Sequence, residues 1–230
     1  MLNTSLILGN GEVGKSLYNV LKKKYDVFIR DKENDNENVF WTNIDVMHVC
    51  FPYSKDFVSE VKSYIDVYEP KYTVIHSTVP IGISNKCMAF HSPVRGMHPN
   101  MEKGLKTFIK YLAPKDNFLK KYFEDAGIKI KFAKRSEDTE ALKIFDTTQY
   151  GLSIKAEKII HKFCKDNNLD FNIIYTDANN TYNDGYIKLG IKNVIRPVLE
   201  HKEGKIGGHC VIPNCDLLKN QLTNFVKKEI

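Results

Sequence analysis

The segment that most constrains the fold lies near the N-terminal end, where an apolar run, Ser5–Leu8, leads straight into Gly9-Asn10-Gly11-Glu12-Val13-Gly14-Lys15-Ser16. Glycines spaced G-x-G-x-x-G after a strand and before a helix suit a dinucleotide. Gly9 permits the tight turn, Gly11 lets the backbone approach a pyrophosphate, and Gly14 lets the helix pack against the strand. Asn10, Glu12 and Val13 complete the loop, and the helix N-terminus faces the phosphates. The same residues also satisfy G-x-x-x-x-G-K-[ST] at 9, 14, 15 and 16, the pattern of a P-loop. Context separates the two readings. A dinucleotide loop calls for an acidic residue at the end of the second strand, about 20 residues on, and Asp31 follows Val27-Phe-Ile-Arg30 there. A P-loop calls for a strand that ends in a Mg²⁺-holding Asp. The candidate strand Val46–Phe51 ends in Pro52-Tyr53 instead, and Glu12 inside the cradle would repel a γ-phosphate. The expected cofactor is therefore NAD, its ribose hydroxyls on Asp31; neighbouring Arg30 and Lys32 keep NADP open.

Beyond the loop the pattern repeats. Asp26–Ile29, Val46–Phe51 and Tyr72–His76 have strand character, and Lys86–Phe90 with its flanks reads as one more. Gly14–Lys24 and Lys55–Tyr68 carry helical spacing, the second with Phe57, Val61, Tyr64 and Ile65 on one face, and Asp31–Asn38 is a polar loop. Strands alternating with helices imply βαβ units and a parallel sheet. The character changes near residue 134. Ser136 to Asn167 reads as one long helix, with Ser136 as N-cap and Glu137 and Asp138 in its first turn. Further helices are expected between Asn183 and His201 and over 218–229. The fold class is thus α/β: a Rossmann-type doubly wound parallel sheet over 1–134, then a small, mainly helical domain over 135–230 for substrate and dimer contacts. The apolar stripe on the 136–167 helix is broad for so small a domain, so a homodimer through this helix is expected.

Composition excludes several classes. Of 230 residues, 42% are apolar and 27% charged, which rules out disordered, collagenous and coiled-coil chains. The longest apolar runs are too short to cross a bilayer, and Met-Leu-Asn-Thr offers no basic leader region. Five cysteines form an odd set without a framework, as free thiols in a reducing cytoplasm would. The net charge of +6 comes from scattered lysines, read as a solvated surface or as a mild bias toward anionic ligands. No basic stripe with interleaved aromatics suggests nucleic acid.

Two later segments carry chemistry. Val74-Ile-His-Ser77-Thr78-Val79-Pro80-Ile-Gly82 closes a strand, and the carboxyl ends of strands in a doubly wound sheet face the cofactor. Ser77 and Thr78 there either hydrogen-bond the nicotinamide side or form a turn before Pro80. Gly207-Gly-His209-Cys210-Val-Ile-Pro213 presents a thiol beside two residues without side-chain bulk, either a nucleophile or a packed free cysteine.

Taken in order, the glycine loop, Val46–Pro52, Ser77-Thr-Val-Pro80-x-Gly82, Glu140-Ala-Leu-Lys143 and the Cys210 segment resemble the UDP-glucose/GDP-mannose dehydrogenase family. The resemblance implies Pro52, Ser77 and Thr78 beside the cofactor, Cys210 as catalytic thiol, and Lys143 as a site residue on the central helix. The sequence departs from the family pattern in several places. Thr147 stands where the family has Asn, four residues after the Lys. Asn214 stands where it has Asp, four after the Cys, although one extra residue before Pro213 lets Cys215 or Asp216 take that slot. Val94 replaces an acidic residue after His91-Ser-Pro. The chain also ends short of the family's C-terminal nucleotide-sugar domain, which argues against a UDP-sugar substrate.

A second stretch, Arg95-Gly-Met-His98-Pro99-Asn-Met-x-x-Gly104 followed by Tyr111-Leu-Ala-Pro114, resembles prephenate dehydrogenases. That resemblance implies His98 as the group assisting oxidation of a hydroxyl, and it has no place for Gly207–Pro213. Cys50, Cys87 and Cys164 are expected in the core, and His161 and His201 on helix surfaces. His209, Cys210 and Cys215 match no standard zinc spacing, so no metal is expected. The expected activity is NAD(P)-dependent oxidation of an alcohol carbon in a small sugar-like or hydroxy-acid substrate. That carbon would lie near Thr78, with Lys143 or His98 taking the hydroxyl proton. Cys210 would trap an aldehyde if oxidation continues to the acid, with His209 or Lys143 favouring its thiolate. The alternatives are a prephenate-dehydrogenase-like two-electron enzyme, or a non-catalytic NAD-binding module, to which the lost Asn, Asp and acidic positions point.

Overall fold

Strands that bury side chains on both faces can only form the middle layer of a stack. β1 (Thr4–Leu8) sends Leu6 and Leu8 to one face and Ile7 to the other, and all three are buried. The computed structural model describes residues 3–31, 43–96, 99–206 and 210–228. It divides the chain into two compact units, Met1–Lys143 and Ile144–Ile230.

In the first unit β1, β2 (Asp26–Arg30), β3 (Val46–Val49), β4 (Tyr72–Ile75) and β5 (Phe90–His91) form one parallel sheet in the order β2-β1-β3-β4-β5. This is the Rossmann-type arrangement read from the glycine loop. One face packs on α1 (Glu12–Leu21), α4 (Met101–Thr107) and α5 (Asn117–Asp125) through Leu17, Leu21, Leu105 and Phe123. The other packs on α2 (Phe57–Tyr68) and α3 (Ile83–Lys86) through Phe57, Val61 and Ile83. A separate parallel pair, β6 (Lys110–Leu112) and β7 (Ile130–Phe132), is joined to β5 by an antiparallel bridge between His91 and Ala113.

α6 (Ser136–Asp166) matches the long helix expected from the periodicity, and the boundary between the two units falls within it. The second unit contains no strand among its described residues. A π-helical segment Asn172–Asp177 runs into α7 (Ala178–Lys188), and α8 (Val211–Asp216) and α9 (Gln221–Lys227) follow. Gly151 of α6 allows that packing: a Cβ there would stand 2.7 Å from Val211 Cγ1 and 2.8 Å from Val226 Cγ1.

Three expectations need correction. The run 86–90 is not one strand, because Gly82, at φ +90°, starts the short helix α3 over Ile83–Lys86, and β5 is only Phe90–His91. The helix expected between 183 and 201 lies earlier. Gly190, at φ +73°, ends α7, and 191–206 contains no helix, as Pro197 requires of its neighbourhood. His161 and His201 are not simple surface residues. Their rings stack with centroids 3.4 Å apart, and His201 Nδ1 lies 2.6 Å from the buried carboxylate of Glu157.

Candidate active site

All five strands of the main sheet are parallel, so the segments leaving their carboxyl ends gather along one edge. β1 pairs with β2 on one side and β3 on the other, so the strand order reverses at β1, where sheets of this kind bind dinucleotides. The glycine loop sits there. Gly9 has φ +101° and its N–H donates to Arg30 O at 2.8 Å, which turns the chain back over β2. A Cβ on Gly14 would lie 1.9 Å from Gly9 O, so only glycine lets α1 start this close to β1. A Cβ on Gly11 would meet nothing within 4 Å. Gly11 is the N-cap of α1 and has no capping side chain, and Glu12 occupies the first helical position, exposed. Val13 packs inward against the core. The N–H of Asn10 donates to the Asp31 carboxylate, which holds Asp31 on the rim of the loop. A cradle that is open at its second glycine, closed at its third and edged by a carboxylate fits a dinucleotide's pyrophosphate and ribose.

Of the other residues expected beside the cofactor, Pro52 is exposed beyond β3 and Thr78 is half-buried beyond β4. Ser77 is committed elsewhere: its hydroxyl donates to Phe51 O at 2.5 Å. His98 lies outside the described residues, as do Gly207, Gly208 and His209.

Beneath this edge runs a buried polar chain that the sequence reading missed. His76 Nδ1 lies 2.8 Å from Ser92 O, His76 Nε2 lies 2.9 Å from His48 Nδ1, and His48 Nε2 lies 3.0 Å from the Tyr122 hydroxyl, which is 2.7 Å from Ser5 Oγ. A carbonyl only accepts, so Nδ1 of His76 carries the proton. With both rings neutral, each following donor is then fixed: His48 Nδ1 to His76, Tyr122 to His48, Ser5 to Tyr122. Burial, aided by the charge of Lys110, holds His48 down to about 3 and His76 well below the usual histidine range. Lys110, itself buried, donates to Ser92 O and Pro93 O. Burial pulls its amine down to about 7; the Cys50 thiol opposes that shift and the Lys143 charge adds to it. Cys50 is only half-buried as a residue, but its thiol is enclosed and desolvation pushes it up to about 12. The signal in the sequence was a histidine near the end of three successive apolar runs, His48, His76 and His91.

In the second unit, Cys210 is half-buried at the residue before α8. Cys215 does not take a site position: it is fully buried with Val211 and Val226, its sulfur 3.6 Å from Thr148 Oγ1. Asn214 and Thr147, two positions where the sequence departs from the family pattern, meet: Asn214 Nδ2 donates to Thr147 Oγ1 at 3.3 Å. Cys87 and Cys164 are core residues as expected. Among the described residues no cluster of three or more His, Cys, Asp or Glu could hold a metal ion, and no helix is long and apolar enough to cross a membrane.

Iodoacetamide labelling should follow this burial. Desolvation raises Cys87 to about 11, and Cys164 is buried, so Cys210 is expected to react first and Cys50, Cys87, Cys164 and Cys215 only on unfolding. Site-resolved mass spectrometry under reductant reads this directly. Labelling of Cys50 ahead of Cys210 would contradict the burial described.

No family model matches the chain, and no curated protein sequence matches it. Solved structures do. A UDP-D-ManNAc dehydrogenase from Pyrococcus horikoshii superposes with a TM-score of 0.72 over 97% of this chain and 67% of that one, at 16% identity. Mycobacterium tuberculosis 3-hydroxyisobutyrate dehydrogenase, solved with L-serine, gives 0.70 over 98% and 91%, at 14% identity. The prephenate dehydrogenase of A. aeolicus, solved with hydroxyphenyl propionate and NAD⁺, gives 0.51 over 71% and 69%, at 11% identity. The resemblance read from the motifs is therefore matched in three dimensions: the chain has the Rossmann-type fold shared by nucleotide-sugar, 3-hydroxyisobutyrate and prephenate dehydrogenases.

Proposed function

We propose that the chain is a nicotinamide-dependent dehydrogenase that oxidises an alcohol carbon of a small sugar-like or hydroxy-acid molecule. The observation that carries this reading is the glycine cradle, open at Gly11, closed at Gly14 and edged by Asp31. A bound NAD or NADP supplies the hydride acceptor. The backbone N–H groups at the start of α1 hold the pyrophosphate, and Asp31 accepts from the ribose hydroxyls. Arg30 next to Asp31 leaves a 2′-phosphate possible. Pro52 and Thr78 border the nicotinamide end. Lys143, half-buried on α6, accepts the hydroxyl proton. Cys210 is the nucleophile of any second oxidation. The Thr147–Asn214 hydrogen bond supports this assignment, because it ties the turn that follows Lys143 on α6 to the turn that follows Cys210. Residues 1–134 are the cofactor domain of this reading and 135–230 the substrate and dimerisation domain.

Turnover tests it. Purified protein with NAD or NADP and a panel of sugars and hydroxy acids should reduce the cofactor, and Lys143→Ala should abolish the signal. No reduction across a broad panel would leave a binding module rather than an enzyme. Whether Cys210→Ser keeps full activity separates two-electron from four-electron oxidation.

The same reading includes a homodimer. Among its described residues the second unit clusters Val211, Cys215 and Val226 as a small apolar core and also buries Ile144, Cys164 and Tyr175, yet it exposes Phe163 (58%), Ile173 (63%) and Leu189 (71%). So much open apolar surface favours a second copy of the chain. Sedimentation at micromolar concentration should give twice the 26.5 kDa chain mass; a clean monomer would contradict it.

A further inference from the structure

The loop that carries Thr78 is gripped at both ends by one turn of α6. At its far end, Glu140 is fully buried, and its carboxylate accepts from the N–H of Gly82 (2.5 Å) and of Ser84 (2.8 Å). Glu137 adds an exposed contact, accepting from Asn85 Nδ2 at 2.8 Å. At its near end, His91 Nε2 lies 3.2 Å from Ser77 O and His91 Nδ1 lies 2.7 Å from Thr139 Oγ1. Ser77 O only accepts, so Nε2 carries the ring proton. Burial holds His91 down to about 3, hence neutral, so its Nδ1 faces the Thr139 hydroxyl as an acceptor, and that hydroxyl shares its one hydrogen with Ser136 O, 2.8 Å away. Thr139 and Glu140 are thus the two jaws, with Thr78 between the points they hold. Lys143 follows them by four and three residues, the spacing that puts side chains on one face of a helix.

We propose that Glu140 and the Thr139–His91 pair are positioning residues that set Lys143 at a fixed distance from Thr78. This rests on the reading above, in which Lys143 takes the proton and Thr78 borders the nicotinamide. An apolar contact would hold a helix on a loop without a direction. A buried carboxylate that accepts two backbone N–H groups fixes both distance and rotation, because every lone pair lost from water must be met. A Lys143 amine displaced by about 1 Å would cost on the order of a hundredfold in rate.

The test reads Lys143 itself. Acetylation by acetic anhydride is followed by mass spectrometry with and without NADH at ten times its dissociation constant, which leaves about one site in ten free. Wild-type Lys143 should be protected about tenfold. Glu140→Gln keeps the size but turns an amide donor toward a backbone donor. It should still bind NADH with unchanged affinity, while protection of Lys143 is largely lost. Thr139→Val, which cuts the other jaw at small cost to packing, should do the same and carries the test if Glu140→Gln does not fold. Either variant, folded and binding NADH with full protection of Lys143, overturns the clamp. A variant that loses NADH affinity together with protection also overturns it, since the role would then be structural support of the cofactor site. Wild-type protein that binds no NADH, or binds it with Lys143 unprotected, instead overturns the reading of the site and the clamp with it.

Discussion

Acidification from pH 7 to pH 5 is expected to remove about 4 kcal/mol from the stability of the first unit through His48 and His91, with His76 adding to the loss, a large share of the stability of an ordinary domain. The source is the three buried histidines. His48 and His91 are held down to about 3 and His76 well below its usual range, all by burial. The unfolded chain takes up protons at each of them as pH falls through about 6.5, whereas the folded chain does not. His48 and His91 therefore cost about 2 kcal/mol each by pH 5, His76 acts in the same direction, and the loss continues toward pH 3. Lys110 works on the alkaline side. Its folded amine titrates near 7, so the unfolded state binds the extra proton from there up to its own value. Stability should rise by about 2 kcal/mol between pH 7 and pH 9, and Lys110→Met should flatten that rise. Above pH 9 the raised Cys50 and Cys87 thiols reverse the slope, because the unfolded chain ionises them first. Urea unfolding followed by circular dichroism at pH 5, 7 and 9 reads all three points. Equal stability at pH 5 and pH 7 would mean that the histidines are charged or exposed in the folded protein.

The second large effect is expected from a single methyl group. Gly14→Ala puts a Cβ 1.9 Å from Gly9 O, a backbone atom that no rotamer can move aside. α1 must lift from β1, at a cost of about 3 kcal/mol or more. Gly11→Val, three residues earlier in the same loop, should cost about 1 kcal/mol at most, since its φ of −71° suits any residue and nothing lies within 4 Å. Thermal unfolding of the two variants separates a packing glycine from a ligand glycine. Equal destabilisation would show that the spacing has no such division of labour.

The glycine loop, Asp31 and the parallel sheet were legible because each is a local pattern, with spacing set by backbone geometry. The long α6 was legible for the same reason, an apolar stripe along its length, but Ser136 is not its N-cap: it is the first helical residue, and its hydroxyl donates to Ala113 O. Non-local pairing hid the rest. Nothing near Lys110 in the sequence says that its amine meets Ser92 O and Pro93 O, and nothing near Glu140 says that two N–H groups of another loop converge on it. α3 was missed, and its last residue drawn into the strand expected over Lys86–Phe90, because Ile83-Ser-Asn-Lys86 has no strong helical pattern of its own; the N–H groups of Gly82 and Ser84 are satisfied from α6. Cys215 looked like a spare site thiol until α8 turned it into the small core of the second unit.

NADH titration of wild type and Gly11→Val, followed by nicotinamide fluorescence and calorimetry, tests the central claim most directly. Wild type should bind NADH, Asp31→Ala should bind it about 1–3 kcal/mol more weakly for want of an acceptor at the ribose, and Gly11→Val, still folded, should not bind it. Tight binding of ATP·Mg²⁺ with no binding of NADH, or NADH binding that Gly11→Val leaves intact, would contradict the account.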